Sequence, residues 1–185
     1  MSRIGRMPIK VSANVNVEIL DGKIVVSGPL GRLEQEIDKS ISVSKENQDG
    51  QTVVVLTRKN DEKEVRSMHG MYRAIVKNMI EGVEKGYTKT LIVHGVGYKA
   101  QAAGNKLTLN IGFSHPIEFI APDGIKIECP SLTEVKVSGF DKTKVGQVAA
   151  DIRAKKPVEP YHAYGIRYSD EVVIRKEGKK ASKKK

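Results

Sequence analysis

Apolar and polar residues alternate in five short runs at the start of the chain: Val15 to Leu20, Lys23 to Gly28, Leu33 to Ile37, Ile41 to Lys45 and Thr52 to Arg58. A period of two over five to seven residues predicts antiparallel strands with one face buried. The breaks between runs hold Asp21-Gly22, Gly28-Pro29 with Gly31, and Asp49-Gly50, residues that supply the positive or fixed φ of a tight turn. The period then changes. Val65, Met68, Tyr72, Ile75, Val76, Met79 and Ile80 fall on one face of a helix, with Asp61 and Glu64 spaced as a capping box and Gly82 as the expected stop.

The second half repeats this order. Strand patterns cover residues 89–95, 98–104, 106–112, 117–121, 125–129 and 134–139, and a helix follows with Asp141 as N-cap and Val145, Val148, Ala149 and Ile152 on its apolar face. Superposition places Ile41 and Val43 on Ile125 and Ile127, Val53 and Val55 on Val135 and Val137, and Val65, Met68 and Tyr72 on Val145, Val148 and Ile152, the offset drifting from 84 to 80 residues. The pattern therefore predicts an α+β chain of two tandem duplicated domains, each an antiparallel β-sheet packed with one α-helix, plus a basic C-terminal extension. The expected domains are residues 1–82, 83–176 and a tail, 177–185, with a short linker at 81–89. Lys155-Lys156-Pro157 ends the second helix, because the residue before proline avoids the helical region. One last strand-like piece is expected at Glu171 to Lys176.

Composition adds three exclusions. The 185 residues include no tryptophan and one cysteine, Cys129, so an internal disulfide is impossible. No run of about 18 apolar residues occurs, and the opening MSRIGRMPIK lacks a secretory h-region, so a cytoplasmic protein is expected. His69, His94, His115 and His162 are far apart in sequence and form no metal-ligand spacing. Gly95-x-Gly97-x-x-Ala100 has the outline of a dinucleotide fingerprint, but strand patterns follow it where a helix is required, so its glycines are read as a bulge or close backbone approach. No catalytic residue, metal site or cofactor is expected.

Charge is placed unevenly. Residues 153–185 hold 11 Lys and Arg against 4 Asp and Glu, net +7, out of a total of +10. A cluster of this kind is the footprint of a polyanion partner, since each cation placed on a phosphate releases condensed counterions; a solvated, solubilising tail is the alternative. An anionic membrane would require an amphipathic face that EGKKASKKK lacks. Within the same segment Tyr161, Tyr164 and Tyr168 interleave with His162, Arg167 and Arg175, planar groups able to stack on unpaired bases or to brace the chain against its own sheet.

The pieces MSRIGRMPI, GPLGRLE, HGVGYKA, LTLNIGFSHPI, FDKTKVGQVAADIRAKKPVEPY and YGIRYSDEVVIRKEGKK, in this order, closely resemble the bacterial ribosomal protein L-six family of the large subunit, over essentially the whole chain. The resemblance implies two similar α+β domains and a structural role, without enzymatic activity, in the cytoplasmic ribosome. It implies binding of 23S rRNA mainly through the second domain, near the sarcin-ricin loop and the stalk base, with neighbouring large-subunit proteins as partners, translation factors as transient ones, no membrane and no homo-oligomer. Carried over residue by residue, it implies rRNA contact at Arg153, Lys155, Lys156, Tyr161, Gly165, Arg167, Arg175, Lys176, Lys179 and Lys180. Where members commonly read Pro-Tyr-Lys-Gly-Lys-Gly-Ile-Arg-Tyr, this chain has His162, Ala163 and Tyr164. His162 and Tyr164 are thus candidates for stacking or ribose contact in place of phosphate neutralisation. A protein-interaction adaptor with a solubilising tail is the competing function.

Overall fold

A computed structural model describes residues 4–48 and 51–179. The chain divides into two compact units, Met1–Tyr87 with Phe140–Lys142, and Thr88–Gly139 with Thr143–Lys185.

The first unit contains β1 (Ile9–Lys10), β2 (Asn16–Leu20), β3 (Lys23–Gly28), β4 (Gly31–Glu36), β5 (Ile41–Gln48), β6 (Gln51–Arg58) and α1 (Lys63–Lys85). Its strands form two three-stranded sheets, β2-β3-β4 and β1-β6-β5, all antiparallel. The inward residues of both sheets, Ile24 and Val26 on β3 and Val54 and Leu56 on β6, share one core with Val76, Ile80 and Val83 of α1. Each such side chain, fully buried, contributes roughly 1.5–3 kcal/mol relative to exposure. His69 is the buried polar group here: its Nε2 lies 2.9 Å from the Leu56 carbonyl, which can only accept, so Nε2 carries the proton.

Both ends of α1 differ from expectation. The N-cap is Glu62, without a side-chain cap bond, because the carboxylate of Asp61 is held by Arg58, with Nε to Oδ1 at 2.6 Å. Gly82 does not stop the helix, since a glycine inside a helix costs only about 1 kcal/mol. Gly86 stops it, with φ at 75° and its N–H on the Gly82 carbonyl. What reads as a linker is therefore the last turn of α1, one glycine and the first residues of the next strand.

The second unit contains β7 (Tyr87–His94), β8 (Lys99–Ala103), β9 (Lys106–Asn110), β10 (Ile117–Ile120), β11 (Ile125–Ser131), β12 (Glu134–Gly139), α2 (Lys142–Ala154) and β13 (Gly165–Tyr168). Its sheets are β8-β9-β10 and β11-β12-β7-β13. The order β5-β6-β1 of the first unit recurs as β11-β12-β7, and β2-β3-β4 recurs as β8-β9-β10, so the duplication read from the pattern is present in the topology. One register is corrected. Val43 pairs with Leu56 and Ile127 with Val137, so the equivalents of Val135 and Val137 are Val54 and Leu56, not Val53 and Val55. The run of three valines in β6 hides this slip of one residue, which exchanges the two faces of a strand.

The second unit also has something the first lacks. β13 extends the sheet beyond β7, pairing Gly165 with His94, Ile166 with Val93, Arg167 with Ile92 and Tyr168 with Leu91. The expected strand at Glu171 to Lys176 is absent: this stretch pairs with no strand, and its backbone bonds are Glu171 N–H to the Tyr168 carbonyl at 3.2 Å and Lys176 N–H to the Pro160 carbonyl at 2.9 Å. The Val172 and Ile174 side chains that gave the strand pattern face solvent.

Two glycines test this packing in opposite directions. At Gly165 φ is 142°, and an added Cβ would lie 2.7 Å from the Pro157 carbonyl oxygen and 2.8 Å from the Val158 Cα. At Gly146, inside α2, an added Cβ meets nothing within 4 Å. Gly165→Ala is expected to lower stability by about 3 kcal/mol, and Gly146→Ala to raise it by about 0.5–1 kcal/mol, read as shifts of the urea midpoint.

Candidate nucleic-acid interface

The chain leaving α2 is shaped by two carboxylates. The first, Glu159, accepts the backbone N–H groups of Tyr161 (3.0 Å) and His162 (2.8 Å). Its own N–H bonds the Tyr164 carbonyl and its carbonyl accepts the Ala163 N–H, closing a turn over residues 159–164. The His162 N–H is the main reason that the Glu159 carboxyl lies below its ordinary range. Ala163 has φ at 61°, the left-handed conformation that glycine adopts without steric cost. It is held there from the far side as well: its carbonyl accepts from Nδ1 of His94 at 3.0 Å. This bond fixes the histidine tautomer and sets its ring 5.6 Å from that of Tyr164, which in turn lies 5.4 Å from the His162 ring at 19°.

The second carboxylate, Glu171, takes the Arg153 guanidinium in a fork, Nε to Oε2 at 2.9 Å and Nη2 to Oε1 at 2.5 Å. It also accepts the Tyr168 N–H at 3.2 Å. The Arg153 bond is the main cause of a Glu171 pKa below the ordinary value of 4.5. Arg153 and Lys89 both lie over the Tyr168 ring, at 5.7 and 5.5 Å, so Tyr168 is the bracing tyrosine of the segment.

The expected contact residues thus separate. Arg153 is engaged by Glu171, Lys156 lies 4.6 Å above the Phe113 ring, and Gly165 is buried against the chain at Pro157. Arg167 sits opposite Ile92, half-buried, its Nε enclosed without an acceptor. By contrast the side chains of Lys155, Arg175, Lys176 and Lys179 are exposed and have no ion pair among the described residues. Tyr161, His162, Tyr164 and Arg175 line one groove of about 610 Å³. Lys180 lies outside the described residues.

Sequence reasoning missed that His94, Val96 and Thr133 line the same groove. His94 was discounted for its distance in sequence from the other histidines, yet β7–β13 pairing places it opposite Gly165. The adjacent glycines were the available signal, and they do mark a close approach. An added Cβ on Gly95 would lie 2.5 Å from the Tyr98 ring, and Gly97 has φ at 74°. Among the described residues no group of three or more His, Cys, Asp or Glu could hold a metal ion, and no helix is long and apolar enough to cross a membrane.

The fold is a duplicated α+β unit that carries a basic segment on its second copy. Comparison with known proteins supplies the family. The family model described as Ribosomal protein L6 matches twice, at residues 8–86 and 94–169, one match for each half of the duplication. The chain is 51% identical to the large ribosomal subunit protein uL6 of Chlorobium phaeobacteroides (strain BS1) over 183 residues, covering 99% of this chain and 100% of that protein. It is 48% identical to the uL6 proteins of Exiguobacterium sibiricum, covering 97% of this chain and 98% of that protein, and of Clostridium beijerinckii, covering 99% and 100%. The chain belongs to the ribosomal protein L6 family, a structural and non-enzymatic component of the ribosome.

The Arg153–Glu171 fork gives a pH prediction. A carboxyl whose folded pKa is depressed adds stability above its unfolded value and loses it as pH falls through the folded one, here below about pH 4.5. Glu171→Gln at neutral pH is expected to speed amide exchange at Lys176 about fivefold, as loss of about 1 kcal/mol from a partly exposed fork implies. The wild type should show the same acceleration only below that pH.

Proposed function

We propose that this protein is a structural constituent of the large ribosomal subunit that binds 23S rRNA through residues 83–176, its main rRNA-binding domain, with 177–185 as a basic tail. It resides in the cytoplasmic ribosome and supports translation without catalysing a step. The observation that carries rRNA contact is the set of exposed cations without an ion pair among the described residues, Lys155, Arg175, Lys176 and Lys179, on a segment where two of the carboxylates, Glu159 and Glu171, are turned to backbone and to Arg153. Phosphates closely packed in folded RNA repel one another, and cations on a rigid sheet offset that repulsion while fixing one geometry. The location near the sarcin-ricin loop and the stalk base, with neighbouring ribosomal proteins there and translation factors as transient partners, is the one the family resemblance implies. The first unit, nearly neutral in sequence, serves in this reading as a spacer or protein contact.

Truncation after Ile152 would not test this, because Ala163 and Ile166 are buried in the second unit and would be lost with the tail. Lys155, Arg175, Lys176 and Lys179 are exposed, so their joint replacement by Gln is expected to keep the fold. Affinity for an rRNA fragment containing the sarcin-ricin region, measured at several salt concentrations, is expected to fall, with the log–log salt slope reduced by about 3. An unchanged slope would remove these residues from the interface, and salt-insensitive binding by the wild type would favour a protein-interaction adaptor.

A further inference from the structure

We propose that the groove between the end of β7 and the 159–164 turn receives a single unpaired nucleotide, its base continuing the Tyr164–His162 stack and its phosphate meeting Arg175. This deepens the rRNA-binding reading and rests on it. The groove, about 610 Å³, is in the range of sites that hold one small planar ligand. Three rings already stand in sequence: Tyr164 and His162 are stacked at 5.4 Å and 19°, and His94 lies 5.6 Å from Tyr164, tilted by 40°, both within the centroid range of aromatic pairs. The stack is open at its outer end: the His162 side chain is 71% exposed, so its free face is available to a further ring. Tyr161, 51% exposed, and Val96, 83% exposed, supply apolar and planar walls to the same groove.

The receptor is formed before any ligand arrives. Glu159 ties down the N–H groups of Tyr161 and His162, and His94 holds the carbonyl of Ala163 in its left-handed conformation. Rings fixed in this way lose little freedom on binding. A left-handed non-glycine residue held by its surroundings is a feature that concentrates at binding sites. The occupant's class follows from the walls. Planar rings beside a guanidinium that has no ion pair among the described residues suit a base joined to a phosphate, whereas a peptide would find few polar partners. A base paired within a duplex has both faces covered by its neighbours, so the ligand must be unpaired.

The test uses the full chain and two RNA hairpins that differ at one position, a 2-aminopurine either bulged or paired. The expected result is preference for the bulged RNA by roughly tenfold with quenching of its fluorescence, as one base–aromatic stack implies. Tyr164→Leu and, independently, the more exposed His162→Ala should abolish the preference and the quenching without changing the salt slope, while Arg175→Ala should lower the slope by about 1. Thermal unfolding of each variant separates loss of the stack from loss of fold. Salt-sensitive binding to both RNAs with equal affinity and no quenching would overturn the nucleotide receptor and leave rRNA binding standing. Binding to neither RNA would overturn both.

Discussion

The pairing of β13 with β7 is the constraint on which the second unit's C-terminal part depends. It adds only four residue pairs to the sheet, yet it fixes the direction of everything after α2. To enter antiparallel beside β7 the chain must turn sharply between Pro157 and Gly165, and the space there admits no side chain at Gly165. The turn needs donors and acceptors for its own backbone, which Glu159 provides. Once β13 is in register, His94 stands opposite Gly165, and the rings of His94, Tyr164 and His162 come together without any contact being specified directly.

The duplication shows what this strand adds. In the first unit the strand equivalent to β7 is β1, of two residues, at the edge of its sheet. Among the described residues nothing pairs beyond it. Each copy packs its sheets with one helix, of 23 residues in the first and 13 in the second, so the shared part of the fold explains stability and β13 marks where the copies differ. This is why the match of one family model to both halves identifies the fold twice but says nothing by itself of where a ligand binds.

Much of the shared part is legible in the sequence because it depends on periodicity. Strands that alternate cleanly, such as Lys106 to Asn110, and the long apolar face of α1 were found where burial demanded them. Where periodicity fails, so does the reading. The consecutive valines 53–55 carry no alternation, and the register slipped by one. Val172 and Ile174 alternate without being buried, so a pattern that normally reports a core reported an exposed strap. The groove was only half legible: Tyr161, His162, Tyr164 and Arg175 lie on one basic segment, but His94 and Thr133 join them through strand pairing, of which the glycines beside His94 are an indirect sign.

Charge counting is also altered by the structure. The last 33 residues hold 4 acids, a number that would dilute the basic field if all faced outward. Two of the four do not: Glu159 spends its charge on two backbone N–H groups and Glu171 on the Arg153 fork and the Tyr168 N–H, while Asp170 and Glu177 are exposed. Aligned N–H dipoles and a facing guanidinium compensate a carboxylate locally, so its field at an approaching phosphate is weaker than its formal charge implies. Arg153 is consumed in the same act. The segment therefore exchanges one cation for an ordered scaffold, and among the described residues Lys155 and Lys176 stand on backbone that is itself hydrogen-bonded, to the Ile152 and Pro160 carbonyls.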